Sequence, residues 1–67
     1  MNKTAAAEIL ALEARTWARR HNTQVTKNLV EERMSELANW GTGQHREAAN
    51  ARPSWKTVMN AANKMGN

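Results

Sequence analysis

The sequence predicts an all-α fold: a small three- to four-helix bundle that begins with an antiparallel helical hairpin. Three observations carry this. Apolar residues recur at spacings of three and four, the period of a helix with one buried face. With no Phe or Tyr, three Val and one Ile, the chain has no alternating β-rich stretch. Turn-forming clusters at Asn22-Thr23, Gly41-Thr42-Gly43 and Arg52-Pro53-Ser54 divide it into pieces of helical length.

The first helix is expected over residues 5–20. Thr4 can cap it, because a hydroxyl accepts from an orphan backbone N–H. Ala, Leu, Glu and Arg fill its interior, and all are strong helix formers. Arg19, Arg20 and His21 bring cations to the negative end of the helix dipole. Asn22 suits the left-handed stop position. Leu10, Ala14, Trp17 and Ala18 share a face with Ala7 and Ala11 beside them, while Ile9 and Leu12 lie well round the helix. That second apolar strip predicts a shared surface, most simply with another copy of the chain.

The second helix is expected over residues 24–40, starting at Thr23 or Thr26, with Gly41 as a left-handed stop. Val25, Leu29, Val30, Met34, Leu37 and Trp40 form its apolar arc, and Arg33 falls inside it. Charged groups near such an arc need partners. Arg33 and Glu36, three residues apart, can pair with each other or reach across a homodimer and set its register. A connection of a residue or two makes helices one and two a hairpin. Residues 44–51 favour a short helix, with Thr42 as its cap. The last helix is expected over 53–65, opened by Pro53, whose missing N–H costs nothing in a first turn. Trp55, Val58, Met59, Ala62 and Met65 form its apolar stripe, while Lys56, Asn60, Asn63 and Lys64 point the other way.

One helical domain over 1–67 is the expected organisation. Ordering 67 residues costs on the order of 100 kcal/mol of conformational entropy, and a chain this short buries little surface against it. Without Cys there is no disulfide and no thiolate zinc site. Idealised packing and self-association are the remaining aids. Cysteine absence fits a reducing cytoplasm, and the expected location is cytoplasmic. No long apolar run predicts a membrane span, and Glu8 and Glu13 interrupt the Ala-rich start where a signal peptide would be apolar. The chain opens with Met and reads as a complete small open reading frame.

Catalysis is not expected. There is no Cys, Tyr or Asp, and His21 and His45 belong to different turns, whereas a triad needs three groups brought together. His45 and Glu47 are two apart and face different sides of a helix, so no metal site is expected. Gly41-Thr42-Gly43 lacks the length and the Gly-Lys-Ser/Thr ending of a phosphate loop. No cofactor is predicted.

Charge keeps nucleic acid in view. Ten Lys and Arg against six Glu give +4 and a pI near 10.4. Arg15, Arg19 and Arg20 cluster at one helix end, and Arg46, Arg52, Lys56 and Lys64 lie downstream, a set able to meet phosphates. A helix-turn-helix built from the second helix, Gly41 and residues 44–52 fits poorly. Leu37 stands where a small residue is needed, and Ala48, Ala49 and Ala51 are the only apolar anchors. The three tryptophans, Trp17, Trp40 and Trp55, are the only aromatics, and all sit on apolar stripes. Core packing explains such a position; so does an anchor for a partner, and Trp40 beside the Gly-Thr-Gly turn is best placed for one.

In length, basic charge, helical pattern and absence of catalytic residues, the whole chain resembles the small early-region accessory proteins of lambda-like temperate phages. The resemblance implies a regulatory or accessory protein that binds a host or phage protein, or DNA. The expectation is therefore a non-enzymatic, homo-oligomeric protein-interaction module, with Ile9, Leu12, Arg33, Glu36 and Trp40 at interfaces. The alternative is a small basic DNA-binding regulator.

Overall fold

The computed structural model describes residues 1–66; Asn67, the end of the expected 1–67 unit, lies outside the described residues. Four helices follow one another: α1 (Lys3–Arg20), α2 (Lys27–Trp40), α3 (Gly43–Asn50) and α4 (Trp55–Met65). No strand is present among the described residues. The radius of gyration is 10.4 Å, close to the roughly 11 Å expected of a compact chain of this length.

The helix ends follow from local chemistry, with several corrections to the boundaries read from sequence. α1 starts earlier than Thr4 would allow: the Ala5 N–H donates to the Asn2 side-chain oxygen at 2.7 Å, making Asn2 the cap. It stops as expected at Asn22, which sits at φ 53°. The Thr23 N–H returns to the Ala18 carbonyl and the Asn22 N–H to Arg19, the paired bonds of a Schellman stop. The link to α2 is six residues long, not one or two, because Thr26 rather than Thr23 is the cap, accepting from the Leu29 N–H at 3.2 Å.

Gly41 does end α2, but with φ −71° and ψ 166° it is extended, not left-handed. Its reason for being glycine is space: a Cβ there would lie 2.5 Å from the Leu37 carbonyl oxygen. α3 begins at Gly43, and Thr42 makes no side-chain capping bond. Pro53 is buried and stands before the cap of α4, not in its first turn. Ser54 is that cap, accepting from the Thr57 N–H at 3.2 Å.

The core is built mainly of alanine. Ala6, Ala7 and Ala11 of α1 meet Ala48 and Ala49 of α3 and Ala62 of α4, with Leu10, Val30 and Val58 as the largest fully buried side chains. Small residues at the seams let helix axes come close, since spacing depends on the side chains between them. α1 packs chiefly on α4 and α3, and less on α2, its hairpin neighbour in sequence. Two apolar expectations change accordingly. Ile9 is half-buried and packs against this core. Leu12 remains 57% exposed, so the second strip on α1 reduces to that one residue.

Candidate nucleic-acid interface

The third and fourth helices are joined by four residues, Ala51 to Ser54, and their conformation makes a sharp corner. The Ala51 N–H bonds the Glu47 carbonyl and the Arg52 N–H bonds that of Ala49, both at 3.1 Å. Arg52 then takes φ 54°, the left-handed position that normally falls to glycine. Pro53 follows with no N–H to continue the helix, and Ser54 caps α4. Ala48 and Ala49 on one side and Val58 on the other are buried within 3% exposure, but the two helices do not pack on each other: each packs on α1 and α2. α3, the four-residue turn with its one left-handed position, and α4 follow one another as a unit along the chain. α2 and α3, the pair weighed from sequence, do pack on each other.

The outer face of α4 is polar and uncharged or cationic throughout. Lys56, Thr57, Asn60, Asn63 and Lys64 are exposed, and the helix contains no acid. Arg46 on α3 and Arg52 in the turn are also exposed. The one acid in this unit is Glu47, and the Met1 amine lies 3.8 Å from its carboxylate. At the start of α4 the half-buried Trp55 ring has the Lys27 ammonium 4.9 Å from its centre and that of Lys56 at 5.7 Å, both within cation–π range. Lys27 thereby ties the start of α2 to the start of α4. Beside the middle of α4 runs a groove of about 350 Å³ shared with α1, lined by Glu8, Thr57, Asn60 and Lys64.

The residues singled out from sequence are distributed unevenly. Arg46, Arg52 and Lys56 belong to this unit. Arg15, half-buried, and Arg19 and Arg20, exposed, lie on the C-terminal half of α1. Arg33 does not pair with Glu36. Its Nη2 donates to Glu13 Oε2 at 2.7 Å and its Nε to both carboxylate oxygens at 3.1 and 3.2 Å, a fork between α2 and α1 within one chain. That hydrogen bonding holds the Arg33 guanidinium above its ordinary pKa; burial pulls the other way, and the charges of Glu13 and exposed Glu36 add to the rise. The same guanidinium lies 5.6 Å from the Trp17 ring centre, and Trp17 stacks on His21 at 3.8 Å. Trp40, placed by sequence in the apolar arc of α2, is 80% exposed at the end of the helix.

No family model, curated protein or solved structure matches this chain.

Among the described residues no group of three His, Asp or Glu is placed to hold a metal ion, and no helix is long and apolar enough to cross a membrane. Thr57 and Asn60 are not among the contacts expected from sequence. The signal that could have found them is the run of polar residues on α4 opposite its apolar stripe.

Proposed function

We propose that this protein binds duplex DNA as a small, non-enzymatic regulator, with the exposed, acid-free face of α4 turned towards the phosphates. The observation that carries this is the Ala51–Ser54 corner presenting an acid-free α4 whose five polar residues are all exposed. Arg46, Arg52, Lys56 and Lys64 then supply cations against the phosphates. This order reverses the two expectations from sequence, and it remains compatible with the early-region phage proteins the chain resembles, whose actions include binding DNA.

The test is retention of labelled duplex DNA as salt is raised. Four neutralised phosphates give a slope of about −3.6 in log affinity against log salt, so a fourfold rise in salt weakens binding on the order of a hundredfold. No retention at low salt would remove the proposal.

Trp40 favours a second reading, in which the chain also binds protein, either a second copy or a host or phage protein. A tryptophan this exposed is of the type enriched at binding hot spots. Light scattering decides it for self-association. A mass above 7.5 kDa that Trp40→Ala or Leu12→Glu returns to 7.5 kDa supports an interface there; a monomer at every concentration excludes self-association.

A further inference from the structure

We infer that the chain self-associates through an outer stripe of α1, two copies lying antiparallel with Leu12 against Leu12 at a two-fold axis. This rests on the self-association reading above and gives it a surface and a direction. Ala5, Glu8, Leu12, Arg15 and Arg19 follow one another at spacings of three and four, so they share one stripe of the helix. That alternation is the spacing of a helix–helix seam. Glu8, Leu12 and Arg19 are exposed, and Ala5 and Arg15 are half-buried. The buried residues Leu10, Ala14 and Ala18 belong to a different face.

The order of charge chooses the orientation. The stripe is acidic before Leu12 and basic after it. Parallel copies would set Glu8 on Glu8 and each arginine on its own counterpart, and like charges so placed repel. Reversed about Leu12, Glu8 of one copy comes level with the partner's Thr16, between the partner's Arg15 and the partner's Arg19, and the same match forms twice. Among the described residues no ion pair within the chain engages Glu8, Arg15 or Arg19, so matching across the axis breaks no internal one. The arginine stems can cover Leu12 while their charged heads reach out to the acids.

Trp40 falls at the ends of the same seam. α2 runs antiparallel to α1: Arg33 meets Glu13, and Leu29, one turn earlier, borders a recess with Trp17 and His21. Trp40 lies about two turns past Arg33 on the same side of α2, which carries it level with the first turns of α1. The partner's Arg19 arrives at that end, and an indole 80% exposed offers its guanidinium a face. One helix stripe with a single leucine covers less than the roughly 800 Å² per partner of a stable complex, so the association is of the weak, exchanging kind and weakens with salt.

Sedimentation equilibrium of the full chain at low salt, from micromolar to millimolar protein, tests the seam. Wild type is expected to approach twice 7.5 kDa. Glu8→Arg should weaken the dimer on the order of tenfold, and adding Arg15→Glu and Arg19→Glu to it should restore the dimer. Direction is read with cysteines, since the chain has none of its own. Off the axis, two copies of residue 8 stand about 12 Å apart along it, beyond disulfide reach. Glu8→Cys should therefore cross-link to Thr16→Cys under oxidation and not to itself. If wild type dimerises but Glu8→Arg is neutral, or the folded triple variant stays weak, or Glu8→Cys links to itself as readily as to Thr16→Cys, this seam is overturned and self-association stands through another surface. Should the triple variant melt early, the cysteine pair decides alone. If wild type stays at 7.5 kDa throughout, both fall.

Discussion

Arg52 holds a backbone conformation that costs an L side chain about 1–2 kcal/mol. Glycine would relieve it, less the roughly 0.5–1 kcal/mol of extra chain freedom glycine surrenders on folding. Arg52→Gly is therefore expected to stabilise the fold by up to about 1 kcal/mol, a rise of roughly 4–8 °C in melting temperature. Thermal denaturation followed by circular dichroism checks this, and a fall would mean that the Arg52 stem, which borders a recess with Met34 and Asn39 of α2, contributes more than the strain removes. The Glu13–Arg33 fork is the other residue whose worth can be measured. A double-mutant cycle with Glu13→Ala and Arg33→Ala is expected to give a coupling of about 1–3 kcal/mol. Because the folded state raises the Arg33 pKa, the stability this contributes is complete below the unfolded value and is lost only as pH climbs through the higher folded one. Neutral and mildly alkaline solutions leave it intact.

Helix caps in this chain look alike in sequence and differ in the folded state. Ser54 accepts a backbone N–H and Thr42 does not. Ser54→Ala should cost about 1 kcal/mol and Thr42→Ala only a few tenths, a contrast that urea denaturation of the two variants can resolve. The same distinction marks what could be read ahead of the structure. Asn22 and Thr26 act within a few residues of themselves and were legible, Thr26 as one of two candidates, whereas α4 starts after Ser54 and not with Pro53 in its first turn. Gly41 was legible as a stop but not in its conformation, because what forbids a side chain there is the approach of the Leu37 carbonyl. Glu13 was missed as the partner of Arg33 because the two meet across helices, twenty residues apart. The turn at Arg52-Pro53-Ser54 was legible, but not that Arg52 takes its left-handed position.

On the scale of the whole molecule, alanine seams leave few large side chains to hold four helices together. A chain of 67 residues has a total stability of roughly 3–10 kcal/mol. Leu10, one of three large side chains that are fully buried, is expected to cost about 2–5 kcal/mol on truncation to Ala. That variant should be partly unfolded at 37 °C, and a melting curve close to wild type would show that the core can collapse around the gap. Ile9→Glu, which would be a clean probe of an interface on a free strip, instead places a charge against this core; Leu12→Glu is the probe that spares it. The placement of the three indoles also makes the protein its own optical reporter. Trp40 stands in water, Trp17 lies against an imidazole, and Trp55 rests near two ammonium groups. Iodide should be drawn to Trp55 and caesium turned away from it, so comparing the two quenchers singles out emission from the start of α4 without any label.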